Sequence, residues 1–252
     1  MNHLVTSVER TLAQIFDSAF LRVFILGMIS TFAALAAAFF LADALKDKVP
    51  YLDFDWDWVQ WIADLLFGFG LAWLAVLLFV PISTIFVSIF LDDVVDAVED
   101  KYYPGHKAGK RLGLWHLSYL AIRLAFYIIL LNILAVPFYI IFFWTGVGPV
   151  IIFYLLNGYL LGWGYYEMVA VRHLGIKEAG EHRKSIRGYV LFAGLFVTIL
   201  FTIPVVNLTA PILAAAIMSH IFHLTMKDRM MAGHEVAGSY SNDWTNQDRD
   251  GK

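Results

Sequence analysis

The chain has no cysteine, which removes disulfides, thiol chemistry and every cysteine-ligated metal site at once. Charge is scarce too. Asp, Glu, Lys and Arg make up 15% of the 252 residues, where a soluble domain carries about a quarter. The net charge of −3 leaves no basic excess to hold nucleic acid, so no nucleic-acid partner is expected. The first twenty residues lack the basic segment and apolar core of a cleavable leader. Nothing along the chain has the pattern of a nucleophile with its base, a phosphate loop or a metal cage. An enzyme is therefore not expected, and neither is a cofactor.

What fills the space is apolar. Hydrophobic residues make up 60% of the chain, and the mean hydropathy is +0.69. These values put the protein in the membrane class. Residues 3–20 set Leu4, Val8, Leu12, Ile15, Phe16 and Phe20 at helical spacing, the pattern of a short interfacial helix. A first transmembrane helix is expected over 21–42, since Val23 to Ala42 is twenty residues without a charge. Next comes an acidic break at 43–57 with five aspartates, followed by Trp56, Trp58 and Trp61 as an interfacial belt. A second, longer helix is expected over 58–103. It would be kinked at Pro81, extend past the membrane on the cytoplasmic side and stop near Pro104-Gly105. Asp64 lies at its outer end, where solvation is the plain reading.

Two further charge-free stretches follow, 124–166 and 188–226, each broken at its centre. The second break reads "TIPVVNLTAP". It leaves sixteen residues on each side, roughly 24 Å of helix against a hydrocarbon core of about 30 Å. That stretch is expected to turn inside the membrane. The first, with arms of roughly 27–30 Å by the same rise, either crosses or turns. A turn at membrane depth survives only when buried in protein or facing water. Gly146, Gly148 and Pro149 supply one stop and restart. Pro204 ends one arm of the second hairpin, and Asn207 or Thr209 is expected to cap the other, with Pro211 in its first turn. Both descending helices would point positive N-terminal ends into the bilayer, a device that holds anions in transporters. The plainer alternative is a pair of ordinary short hairpins whose prolines serve only as turns.

If the N-terminus is cytoplasmic, sixteen of the 18 Lys and Arg fall inside, so both termini are expected to be cytoplasmic. Residues 1–231 are expected to form a single membrane domain, and the polar tail 232–252 to be disordered.

Three stretches carry a resemblance: "SIFLDDVVDAVED" (88–100), "GYLLGWGYYEMVAVRHLG" (158–175) and "IPVVNLTAP" (203–211). Together, in order and spacing, they resemble the CysZ family of bacterial sulfate permeases and the wider etoposide-induced-protein family, over roughly residues 5–228. The resemblance implies an all-α integral membrane protein with two long transmembrane helices, two intramembrane helical hairpins and a homo-oligomeric assembly. It also implies uptake of sulfate or a similar oxyanion across the bacterial inner membrane for cysteine biosynthesis, passive or proton-influenced, without nucleotide hydrolysis. The family's glycine–hydrophobic–arginine step for sulfate corresponds here to Phe20-Leu21-Arg22, so Leu21 and Arg22 are the implied anion-binding residues. The glycine is lost. The family's proline-phenylalanine before the acidic segment is here Ile89-Phe90.

On this reading Gly146, Gly148, Asn207 and Thr209 line the path at the hairpin tips. Glu167 and Arg172 form either a gate or an ion pair that orders the linker. His220 and His223, three apart, have a spacing that suits a metal, but no acid stands in the next three positions. Packing or lipid contact is expected of them, and no metal. The alternative from another class is a non-conducting protein that shapes the bilayer or scaffolds partners, with membrane lipids as its principal contacts.

Overall fold

The computed structural model describes residues 2–46, 56–104 and 113–247, and every regular element among them is helical. Nine α-helices follow one another among the described residues: α1 Asn2–Gln14, α2 Ser18–Lys46, α3 Asp57–Ile89, α4 Leu91–Tyr102, α5 Leu114–Phe142, α6 Gly148–Leu174, α7 Ile176–Ser185, α8 Arg187–Thr202 and α9 Ala210–Gln247. Most of the acidic break, at 47–55, lies outside the described residues, as does Gly105.

Among the described residues, three helices are long and apolar enough to cross a membrane, in α2, α3 and α5. The first arm of the first hairpin thus joins the two helices expected to span. α8 is different. It has 16 residues, about 24 Å of rise, and α7 meets it at a bend of 89°.

Two differences from the sequence reading have local causes. The helix expected to run unbroken over 58–103 passes through Pro81 but breaks at Phe90, which leaves helical geometry with φ −100° and ψ 6°. Its N–H turns to Val87 at 3.0 Å, the tighter closure of a frayed last turn. After the break α4 is amphipathic, with Val94, Val95 and Val98 fully buried. At the other end, α9 continues to Gln247 through most of the tail expected to be disordered. No proline follows Pro211 to stop it. Residues 248–252 lie outside the described residues.

The helices gather into two compact units. One comprises Met1–Gln14, Val95–Ile199 and Leu213–Lys252, the other Ile15–Val94 and Leu200–Ile212. In the first, α9 is buried all round from Leu213 to His223, its run of Leu, Ala, Ile, Met and Phe interrupted by buried Ser219, His220 and His223. α6 and α8 meet at their glycines. A Cβ on Gly194 would stand 1.9 Å from the Gly158 carbonyl oxygen, and one on Gly162 would stand 2.5 Å from that of Val190. Only the absence of side chains lets these backbones approach so closely. α1 turns Ser7, Thr11 and Gln14 inward and leaves Val5 and Leu12 exposed.

The second unit is the α2–α3 pair with the turn of the second hairpin resting on α3. Gly27 packs on Val87, Phe32 on Phe79, and the Ser83 hydroxyl reaches the Met28 sulfur at 4.0 Å. The remaining surface of both helices is a band of exposed Ile, Leu, Phe and Trp, suited to lipid tails.

Candidate functional site

The first unit buries an unusual density of ionisable side chains. Trp163, Glu167 and their neighbours on α6 begin it. Positions four apart share a helix face, and here Arg183 lies over the Trp163 ring at 4.5 Å and Arg123 at 5.9 Å. Both guanidiniums converge on Glu167, Arg123 through a direct hydrogen bond and Arg183 at 3.6 Å. One carboxylate therefore offsets two cations that a low-dielectric interior would otherwise penalise. One residue earlier, Tyr166 is fully buried and bonds His182 of α7. Burial, with the positive charge of Arg229, pushes the His182 imidazole below its usual range.

A second cluster centres on Glu99 of α4. Its Oε1 accepts hydrogen bonds from His173 Nε2 at 2.9 Å and His223 Nε2 at 3.3 Å. Burial pushes the Glu99 carboxyl up, but the bonds and charges of the two histidines outweigh it and hold it at about 2. Tyr103 stacks on His223 with ring centroids 4.3 Å apart and shares a 2.8 Å hydrogen bond with His220. Arg10 of α1 donates to the Tyr103 hydroxyl at 3.3 Å. Burial pushes the Tyr103 phenol up. Glu99, His173 and His223 bring three potential ligand atoms within 4.8 Å of one another.

The residues singled out in the sequence fall in several places. Glu167 and Arg172 lie five apart, about 140° around the helix, and take different partners: Glu167 has Arg123 and Arg183, while Arg172 bonds Asp96. Gly146 turns the first hairpin at φ +68°, a left-handed conformation that favours glycine. Two residues on, a Cβ at Gly148 would meet Phe142 Cβ at 2.5 Å. In the second hairpin, the Asn207 N–H donates to the Ile203 carbonyl at 2.8 Å, and the Thr209 hydroxyl donates to Val206 at 2.9 Å. That hydroxyl closes the turn rather than accepting from the helix ahead. Pro211 is the second residue of α9, where its missing N–H costs nothing.

Leu21 and Arg22 lie in the first turn and a half of α2. Phe20 is 2% exposed and fills the position where the resemblance has glycine. The Leu21 N–H already donates to the Asp17 carbonyl at 3.0 Å. The Arg22 side chain is exposed and makes no hydrogen bond or ion pair among the described residues. Of the two, the guanidinium is the group available to an oxyanion.

Sequence reasoning missed two things. Thr145 ties the turn of the first hairpin: its hydroxyl accepts from the Gly148 N–H, the first of α6, at 2.8 Å and donates to the Phe142 carbonyl at 2.7 Å, which satisfies one of the helix's free N–H groups. Threonine four residues before Pro149 was the available signal. The Glu99 cluster left none, because its members lie 74 and 124 residues apart in the chain.

A family model described as "Sulfate transporter CysZ/Etoposide-induced protein 2.4" matches residues 7–211. A search of the curated proteins gives no match to the chain.

Proposed function

We propose a function from one premise: the chain belongs to the sulfate transporter CysZ/etoposide-induced protein 2.4 family. It is a multi-pass membrane protein of transporter type. Our reading is a passive permease or channel for sulfate or a related oxyanion, working in the bacterial inner membrane without nucleotide hydrolysis and supplying cysteine biosynthesis. The observation that carries it is the family match, which takes in α2 through α8 and the turn that follows.

The local chemistry is compatible with that reading. Arg22 is an exposed guanidinium at the start of a long apolar helix, and its fork of donors suits a tetrahedral oxyanion. It stands near the N-terminus of α2, whose partial positive charge adds to its own. We assign Arg22 to the cytoplasmic mouth of the path, with Leu21 beside it, and Asn207, Thr209, Gly146 and Gly148 to the polar points of the hairpin tips. Glu167 is assigned to ordering the helices around it, since one carboxylate neutralises two arginines. The distribution of Lys and Arg supports cytoplasmic termini. The exposed apolar faces of α2, α3 and α5 are available to lipid and to further copies in a homo-oligomer.

The test is uptake of labelled sulfate into liposomes holding the purified protein, beside Arg22→Ala and empty liposomes. The expected result is flux well above empty liposomes, lowered in the variant and resisting chloride competition. Flux no greater than in empty liposomes, from protein shown to be folded and inserted, overturns the permease and favours a non-conducting scaffold.

A further inference from the structure

We propose that Glu99, His173 and His223 form a binding site for one divalent transition-metal ion, with zinc the best fit. The site is independent of the transport reading. Its ligands come from α4, α6 and α9 within a single compact unit.

The geometry is close to what an ion requires. Zinc holds nitrogen and oxygen ligands at about 2.0–2.2 Å, which sets the edges of a tetrahedron at roughly 3.4 Å. Glu99 Oε1 stands 2.9 Å from His173 Nε2 and 3.3 Å from His223 Nε2. The atoms that now share hydrogen bonds are those an ion would take: the two edges at Glu99 need to open by only a few tenths of an ångström, and the third, between the two imidazoles, lies within 4.8 Å.

The chemistry selects the ion. Two imidazoles and one carboxylate suit zinc and its transition-metal neighbours, whereas calcium and magnesium take oxygen ligands. The side chains of Glu99, His173 and His223 are 9%, 12% and 1% exposed, so water competes weakly for the ligands. The rings are also held. Phe222 stacks on His173 with centroids 4.9 Å apart, and Tyr103 stacks on His223. Such outer contacts fix ligand orientation before binding. Three protein ligands leave a fourth position for water or an exogenous anion. The ion would fasten three helices whose ligands are distant in sequence, joining metal binding to the stability of this unit.

The test uses the untagged full-length protein in detergent, stripped with chelator and then titrated with Zn²⁺ by calorimetry and with Co²⁺ by visible absorption. The expected result is one ion per chain, the intense visible bands of tetrahedral Co²⁺, and a thermal transition raised by several degrees. His173→Gln and Glu99→Gln should weaken binding by more than the roughly 10- to 100-fold that outer-shell changes cost. His3→Gln, which alters a histidine paired with Asp228 and not a member of the triad, should bind as the native chain does. Two results overturn the site: folded native protein that takes up no stoichiometric ion and shows no tetrahedral cobalt spectrum, or binding unchanged in both triad variants. The cobalt spectrum of the native protein decides the matter even if a variant fails to fold.

Discussion

The α2–α3 pair and the cluster formed by α4, α6, α7 and α9 hold helices together by opposite means. Between α2 and α3 the contacts include a glycine against a valine, an aromatic pair and one weak hydroxyl–sulfur bond. Around Glu167 and Glu99, two carboxylates bind two arginines and two histidines in a largely buried setting. The first arrangement tolerates small adjustments, because dispersion contacts degrade gradually. The second does not, because a buried charge that loses its partner has no alternative. The implied anion-binding residues belong to the tolerant unit and most of the buried charge to the exacting one. A lesion in transport chemistry and a lesion in folding should therefore separate by region.

The sharpest way to break this contrast is Glu167→Ala. It leaves Arg123 and Arg183 facing each other without a carboxylate, and removing one partner of a buried ion pair costs about 3–5 kcal/mol. Thermal unfolding followed by tryptophan fluorescence should show the transition lowered drastically or lost. Arg22→Ala, on an exposed side chain, should stay within about 0.5 kcal/mol of the native chain while lowering sulfate flux. If the two variants unfold alike, the division between the regions is wrong.

That contrast also marks what was legible beforehand. Hydropathy and proline placement reveal α2, α3, the two broken stretches and the 16-residue α8, because each depends on residues close together in the chain. The break at Phe90 left no such signal, since Pro81 was the obvious breaker and α3 runs through it. The ion pairs were hidden for another reason. Arg172 finds Asp96 at a separation of 76 residues, and Arg123 finds Glu167 at 44, so tertiary packing decides who pairs. The nearest charge on the same helix, five positions away, points elsewhere. His223 shows the same limit, because the acid absent from its sequence neighbourhood is supplied by α4.

A milder comparison sets one glycine contact against another. Gly194→Ala places a methyl group 1.9 Å from the backbone oxygen of Gly158, which no rotamer can relieve. A cost of about 1–3 kcal/mol is expected. Gly27→Ala meets Val87 Cγ2 at 2.5 Å, with the Val87 backbone at 3.4 Å. The closest atom is on a side chain rather than on backbone, so part of that can be relieved, and a cost of about 1 kcal/mol, the low end of the overpacking range, is expected. Unfolding of both variants in the same detergent checks the order. Equal losses would mean that the α2–α3 contact is as rigid as the α6–α8 crossing.

The smallest effect is one of pH, and it belongs to the exacting unit. His182 is buried against Tyr166 of α6 and Phe222 of α9, with Arg229 as the charge that bears on it. Burial first, and Arg229 second, lower its pKa below 6.5 in the folded protein. The unfolded chain therefore binds this proton at a pH where the folded chain does not. Stability from His182 is fully present above 6.5 and falls as pH drops from there through the lowered folded value. Below that value both states carry the proton and the loss stops. A single proton limits the slope to about 1.4 kcal/mol per pH unit. The transition temperature of the native protein should decline across that window, and His182→Gln should flatten the decline while lowering the plateau above it. A native curve that is flat below 6.5, or a variant with an unchanged slope, would remove His182 from the groups that make this unit sensitive to its charge state.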